Sequence, residues 1–189
     1  NKESTFQVNS WLPVFENIDS KFILIIRERH HFNKLENINI PILYLNNTIN
    51  LEKISKLSSI KGALYTTNVG KNIHLIRDTK IKHIFIGHGD SDKSSSSNNL
   101  FKLYDYIFVA GQAHIDRFKK NSLNISNKSL FKVGRPQLQV LKFDNNNNNK
   151  CNVLYAPTWE GYYKDSCYSS LGLLTNEISN ISRNKSIDF

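Results

Sequence analysis

Short runs of apolar, β-branched and aromatic residues recur along the chain and alternate with segments of helical spacing. Seven such runs are KFILIIRER, IPILYL, GALYTT, HIFIGHG, YIFVAG, LFKVGRP and NVLYAP. Their length and nearly continuous apolar character predict strands that are buried on both faces. The final stretch, KSIDF, predicts the start of one more strand.

The intervening segments place apolar residues three and four positions apart, which predicts helices. They are NLEKISKLSSI, KNIHLIRDT, QAHIDRFKK and LGLLTNEISNIS, preceded by a lead-in helix in FQVNSWLPVFENID that is interrupted near Pro13. Alternating strands and helices predict a doubly wound α/β domain with a Rossmann-like parallel sheet and right-handed crossovers.

One polar stretch divides the chain. The run DNNNNNK, residues 144–150, has no means of packing and predicts a linker. We therefore expect an N-terminal Rossmann-like domain over residues 1–143 and the first βα unit of a second, truncated domain over residues 151–189. The chain contains no Met and begins at Asn1, so we expect it to be a fragment.

Composition narrows the classes of function. The formal net charge of +9 favours anionic partners, although lysines that only solvate the surface explain it equally well. No run of five basic residues occurs, which argues against nucleic acid. The longest purely apolar run is Phe22–Ile26, far short of the roughly 20 residues of a membrane helix. Two cysteines without metal-ligand spacing fit a reduced, cytoplasmic setting.

His88 is the strongest candidate for chemistry. It lies between Gly87 and Gly89 at the end of a predicted strand, where ligands bind in open parallel sheets. The glycines allow a sharp turn and a close approach of substrate, and Asp90 or Asp92 could orient the imidazole as a general base. The alternative is a histidine that only makes a structural hydrogen bond.

The other candidates for substrate binding also follow predicted strands. They are Gly87, Gly89, Asp90, Asp92, Lys93, Ser94, Arg27, Arg29, Asn68, Gln112, Arg135, Thr158, Trp159 and Glu160. Arg135 could clamp a phosphate or form an interdomain salt bridge. Trp159 could stack on a base or sugar, or plug the domain junction. Residues 94–97, all serines, could cap the following helix. We find no metal site and no cofactor motif.

Several linked motifs carry a resemblance to a known family. In order and rough spacing, GHGDSDK, YDYIFVAGQAHIDRF, VGRPQ and VLYAPTWEG followed by YSSL resemble the CDP-glycerol glycerophosphotransferase family. FQVNSWLPVFE and IIRERHH are similar to its capsule-type branch. The resemblance implies a GT-B architecture of two Rossmann-like domains. It also implies that the N-terminal domain holds the acceptor, and that the C-terminal domain holds CDP-glycerol or a similar CDP-polyol donor.

The resemblance also implies a reaction. An acceptor hydroxyl of a growing teichoic-acid or capsule polymer attacks the β-phosphorus of the donor, CMP leaves, and His88 is the expected base. The acceptor would be anionic and lipid-linked, which would bring the cytoplasmic protein to the inner face of the cell membrane. The family's second histidine motif and its serine-rich donor-site stretch should follow the strand that begins at Ile187, and neither is present in these residues. We therefore expect little or no activity from these residues alone.

A departure from the family's motif keeps other functions open. The motif reads His-Gly-Asp-Ser-Asp where many members have His-Gly-Thr-Pro, so the transferred group is not determined. One alternative is a GT-B glycosyltransferase that uses a nucleotide sugar. Another is a module that binds anionic polymer without catalysis.

Overall fold

The computed structural model describes residues 5–33, 35, 38–91, 96–141, 151–152, 154–158, 167, 169–183 and 187–188. The chain divides into two compact units, residues 1–141 and residues 142–189. The predicted linker, residues 144–150, lies outside the described residues.

The described residues contain eight strands, all paired in parallel. They are β1 (Leu24–Ile26), β2 (Ile42–Tyr44), β3 (Gly62–Tyr65), β4 (Lys82–Phe85), β5 (Tyr106–Val109), β6 (Leu130–Lys132), β7 (Cys151–Asn152) and β8 (Ile187–Asp188). Every predicted run overlaps one of them, and the stretch KSIDF contains β8, which pairs with β7. The predicted class, a mixed α/β fold with parallel sheets consistent with a Rossmann-like fold, is confirmed.

Seven α-helices connect these strands or precede them in the described part of the chain. They are α1 (Phe6–Asn9), α2 (Leu12–Glu16), α3 (Arg29–Phe32), α4 (Thr48–Ser55), α5 (Ile73–Ile76), α6 (Gln112–Lys120) and α7 (Leu171–Ser182). Short 3₁₀ helices cover Gly70–Asn72, Asn99–Leu103, Asn127–Ser129 and Pro136–Val140. Helix α7 coincides with the predicted LGLLTNEISNIS segment.

The first unit differs from the prediction of one continuous sheet. Its described strands form a pair, β1 with β2, and a separate sheet in the order β3-β4-β5-β6. This order is consecutive, so the reversal of strand order that defines a doubly wound sheet is absent from the four-stranded sheet. Pairing depends on register between distant segments, which the apolar pattern of each strand does not encode.

The lead-in segment is interrupted near Pro13, as predicted, but the proline itself does not break the helix. Helix α1 ends before Ser10 and α2 begins at Leu12, so Pro13 lies in the first turn of α2. An N–H group in the first turn has no partner within the helix, and a proline there costs nothing. The break falls instead at Ser10 and Trp11, and Trp11 is buried.

The core of the first unit lies between the four-stranded sheet and α6. Its buried members are Tyr65, Phe85, Phe101, Tyr104, Ile107, Val109, Ile115, Phe118 and Leu123. Helix α6 contributes Ile115 and Phe118 from one face, as the helical spacing predicts. Its last turn carries Arg117, Lys119 and Lys120, whose charges favour the C-terminal end of a helix. This packing holds the N-terminus of α6 at the carboxyl ends of the strands.

Candidate functional site

His88 is the third residue after β4 and is exposed, as expected for a residue at a strand exit. The backbone N–H groups of Ile86 and Gly87 both donate to the carbonyl of Tyr65, at 2.9 and 3.2 Å. Gly87 has φ +65°, and a Cβ there would lie 3.3 Å from the Phe85 ring. A glycine is therefore needed at position 87 for the turn that presents His88.

A backbone carbonyl orients the imidazole of His88. Its Nδ1 lies 2.7 Å from the carbonyl oxygen of Thr66, the residue after β3. A carbonyl oxygen only accepts, so Nδ1 carries the proton and, in the neutral ring, Nε2 carries the lone pair. The ring of Phe6 packs edge-on against the imidazole with centroids 5.7 Å apart. The arrangement suits a general base acting through Nε2.

The lead-in segment holds the loop that carries His88. The indole N–H of Trp11 donates to the carbonyl of Gly87, and the Trp11 ring is only 4% exposed. Trp11 also stacks on Phe15 in α2. The N-terminal helices therefore support the His88 loop directly, a role that the sequence pattern did not reveal.

The prediction that Asp90 orients His88 is wrong. The Asp90 carboxylate forms an ion pair with the Arg117 guanidinium, lies 3.6 Å from Nδ1 of His114 and 4.0 Å from Nη2 of Arg135. It thus joins the loop after β4 to α6 and to the segment after β6. Asp92, the other predicted partner, lies outside the described residues.

His114 and Arg117 were missed in the sequence analysis. They lie three positions apart on one face of α6, which follows β5, with His114 in the first turn and Arg117 at the start of the last turn. That spacing, at the start of a helix that follows a buried strand, is a signal that could have identified them.

Burial lowers the pKa of His114 below its ordinary value of 6.5. The Asp90 carboxylate opposes this shift, whereas the guanidinium groups of Arg117 and Arg135 add to it. The imidazole is 6% exposed, and its Nε2 has no hydrogen-bond partner among the described residues. His114 is therefore neutral at pH 7.

The lowered pKa of His114 predicts a loss of stability in mild acid. Below about pH 6.5 the unfolded chain takes up a proton at this position that the folded chain resists. The free energy of unfolding should therefore fall as the pH drops from 6.5 toward 5. Urea unfolding at pH 7.5, 6.5 and 5.5 measures this, with His114→Gln expected to flatten that part of the profile. An unchanged profile in the variant would contradict the assignment.

A small cavity of about 20 Å³ lies beside Asp90, His114 and Arg135. The exits of three neighbouring strands and α6 provide its lining, which includes Trp11, Gly87, Gly89, Asp90, Ala110, His114, Gly134, Arg135 and Gln137. Such a volume holds one or two water molecules and not a nucleotide. Four predicted substrate-binding residues, namely Gly87, Gly89, Asp90 and Arg135, are thus brought together.

The basic exit of β1 is arranged differently. Nη2 of Arg27 lies 3.5 Å from the carbonyl oxygen of Asn46, while Arg29 is exposed in the first turn of α3. Glu28 between them pairs with Lys71, which follows β3, and the Lys71 ammonium lowers the pKa of the Glu28 carboxyl. Neither Arg27 nor Arg29 lines the cavity.

Asn68 and Gln112 make contacts within the protein. The Asn68 amide donates to the Asn98 side chain at 3.0 Å and accepts from the Tyr104 hydroxyl at 3.2 Å. Gln112 is exposed at the start of α6 and donates to Asp116 at 2.8 Å. We find no feature at either residue that points to a ligand.

The predicted serine cap is wrong where the structure describes it. Asn98 caps the 3₁₀ helix Asn99–Leu103 by accepting from the Leu100 N–H. Ser97 is buried and accepts from Asn121, and the Ser96 hydroxyl lies 3.0 Å from that of Ser91. An asparagine side chain caps as well as serine, and it stands one residue closer to the helix.

The remaining candidates fall elsewhere. Lys93, Ser94, Trp159 and Glu160 lie outside the described residues, and Thr158 is an exposed residue of the second unit.

Comparison of the chain with protein-family models, with curated proteins and with solved structures finds no match. Within the described ranges, no three His, Cys, Asp or Glu side chains are grouped so that they could hold a metal ion. None of the helices described has both the length and the apolar composition needed to cross a membrane.

Proposed function

We propose that this chain forms the acceptor side of a transferase that moves glycerol phosphate, or a related polyol phosphate, from a CDP-activated donor to a hydroxyl of an anionic polymer. His88 is the general base. The observation that carries the proposal is the contact between Nδ1 of His88 and the Thr66 carbonyl, 2.7 Å long, at an exposed strand exit. It leaves Nε2 able to accept a proton from a bound alcohol.

The reaction needs one proton acceptor and groups that balance negative charge. The acceptor oxygen attacks the β-phosphorus, the bond between that phosphorus and the oxygen of CMP breaks, and the hydroxyl proton passes to Nε2 of His88. The new phosphodiester and CMP are the products, and the imidazolium returns its proton to solvent. Phosphoryl transfer depends chiefly on positioning and electrostatic stabilisation, so one oriented imidazole with nearby cations is a sufficient acceptor side.

Three further features support the proposal. The motifs GHGDSDK, VGRPQ and APTWEG resemble, in order and rough spacing, those of the CDP-glycerol glycerophosphotransferase family. The guanidinium groups of Arg117 and Arg135 both lie near the carboxylate of Asp90, which is in the same loop as His88. The net charge of +9 suits an anionic acceptor. We further propose a GT-B architecture, whose second domain begins in residues 142–189 and binds the donor at the cytoplasmic face of the membrane.

The nucleotide that is released from the donor distinguishes this function from its alternatives. The natural protein that carries this sequence is incubated with CDP-glycerol or CDP-ribitol and a polyol-phosphate oligomer, and in parallel with UDP-sugars. We expect CMP release that depends on the oligomer. Release of UDP instead would establish a glycosyltransferase. Binding of the oligomer without release of any nucleotide would establish a non-catalytic binding module.

A further inference from the structure

The cavity beside Asp90 unites polar features that the proposed base does not use. It lies where the carboxyl ends of β4, β5 and β6 meet the N-terminus of α6. Gly111 precedes this helix and has no side chain to cap it. The first N–H groups of a helix carry partial positive charge and attract anions. The N-terminus of α6 therefore favours a negatively charged ligand.

Cationic side chains lie beside the cavity. Among the described residues, the guanidinium groups of Arg117 and Arg135 both lie near the Asp90 carboxylate. Arg117 is 9% exposed, whereas Arg135 is 33% exposed and accessible to a ligand. A guanidinium group in a half-buried setting interacts with an anion more strongly than it would in water.

Unsatisfied polar atoms mark the same place. Three buried side-chain atoms among the described residues have no hydrogen-bond partner, and two of them, Nε2 of His114 and Oε1 of Gln137, belong to residues that line the cavity. Buried polar atoms are almost always paired in folded proteins, so their isolation indicates a missing polar guest. Exchanging the oxygen and nitrogen of the Gln137 amide would present a donor at that position.

The dimensions of the cavity restrict what enters it. A volume of about 20 Å³ holds one oxygen atom of a larger group. The rest of that group would remain at the surface beside Arg135, Gly89 and Gly134, of which both glycines are exposed. A Cβ added at Gly134 would meet no atom within 4 Å, so space is free at this position beside the cavity.

We propose that this cavity binds a phosphoryl group of the acceptor, with one oxygen inside and the others on Arg135. The identification of the phosphoryl group as the acceptor's own rests on the proposed function, whereas the anion site itself does not. Arg135 contacts the phosphoryl group directly, and Arg117 supplies charge from behind it. Asp90 holds Arg117 in place and limits affinity, because its carboxylate repels the same anion.

His114 takes part through its proton. Nδ1 lies 3.6 Å from the Asp90 carboxylate, and in the neutral tautomer that is protonated at Nδ1 the Nε2 atom carries only a lone pair. A phosphoryl oxygen binds at Nε2 once that atom is protonated. The charged groups that face this imidazole are Asp90 on the loop after β4, Arg117 on α6 itself and Arg135 after β6. Anion binding is therefore coupled to proton uptake and strengthens as the pH falls.

Calorimetric titration of the natural protein with inorganic phosphate and with glycerol 3-phosphate at constant ionic strength tests the site. We expect saturable binding, a Kd about tenfold weaker in Arg135→Gln and a Kd several-fold tighter in Asp90→Asn. Arg77→Gln is the matched control, since Arg77 pairs with Glu52 and does not line the cavity; its Kd should equal that of the unaltered protein. Sulfate, which does not titrate between pH 6 and 8, should bind more tightly at pH 6, and His114→Gln should remove this difference.

The outcomes separate this inference from the proposed function. Absence of saturable phosphate binding, or equal weakening in Arg77→Gln and Arg135→Gln, would overturn the anion site even if CMP is released. Saturable phosphate binding by the unaltered protein, together with no nucleotide release by that protein from any donor, would support the anion site and overturn the transferase. Tighter binding in Asp90→Asn cannot arise from a loss of folding, so it supports the site independently of Arg135→Gln.

Discussion

Replacing His88 by glutamine should lower kcat for CMP release by about 10²- to 10⁴-fold, the usual contribution of a general base. Glutamine keeps a polar side chain of similar reach at this exposed position but cannot accept a proton at neutral pH. The KM for the acceptor should change much less than kcat, because the proton moves only as the transition state forms. Steady-state kinetics with CDP-glycerol and a polyol-phosphate oligomer measure both constants.

Two further measurements sharpen this prediction. Because His88 is exposed, free imidazole should reach the gap left in His88→Ala and restore part of the rate. His74→Gln is the matched control, a half-buried histidine in α5 that belongs to no part of the site. Its kcat should remain within about twofold of the unaltered protein. Turnover in His88→Gln that equals turnover in His74→Gln would refute the base assignment.

Replacing Phe118 by alanine should lower the free energy of unfolding by about 3–5 kcal/mol, the cost of deleting a fully buried aromatic ring. Phe118 is 1% exposed and packs against Phe101 and His114, with ring centroids 5.0 and 4.7 Å apart. The empty space would lie beside the His114 and Phe101 rings. The variant should therefore also weaken phosphate binding, since His114 and Arg117 would lose their support.

Urea unfolding followed by circular dichroism measures the loss for Phe118→Ala. Phe131→Ala provides the comparison, because this ring is 45% exposed on β6 and its loss should cost less than the loss of Phe118, in spite of its contacts with Tyr106 and Phe108. Similar losses in the two variants would mean that Phe118 is not the central core residue that its burial indicates.

Local patterns in the sequence predicted most elements of the fold. Strand β5 and helix α7 could be read directly, because apolar runs and helical spacing are properties of neighbouring residues. The separation of β1 and β2 from the other strands could not be read, since hydrogen bonding between strands joins residues about 20 positions apart. The interruption near Pro13 was predicted, but its position at Ser10 and Trp11 was not, because a proline breaks a helix interior but suits its first turn.

The candidate site was only half predictable for the same reason. The position of His88 at a strand exit followed from the Gly-His-Gly triplet after an apolar run. Its orienting partner is the backbone carbonyl of Thr66, 22 residues away. Every residue has a backbone carbonyl, so the identity of residue 66 gives no sign of this role. Asp90 was identified as polar and close in sequence, yet its charge is satisfied by Arg117, 27 residues away.

The sequence by itself determined the α/β class, the order of the elements and the glycine-flanked exposure of His88, because these depend on residues adjacent in the chain. Only the tertiary structure decided which groups lie around His88 and its loop. It brought the Trp11 indole N–H to the carbonyl of Gly87 and paired Asp90 with Arg117 rather than with His88. It also buried His114 beside a cavity. Charges and hydrogen bonds act through distances in space, and the folding of the strands and α6 sets those distances.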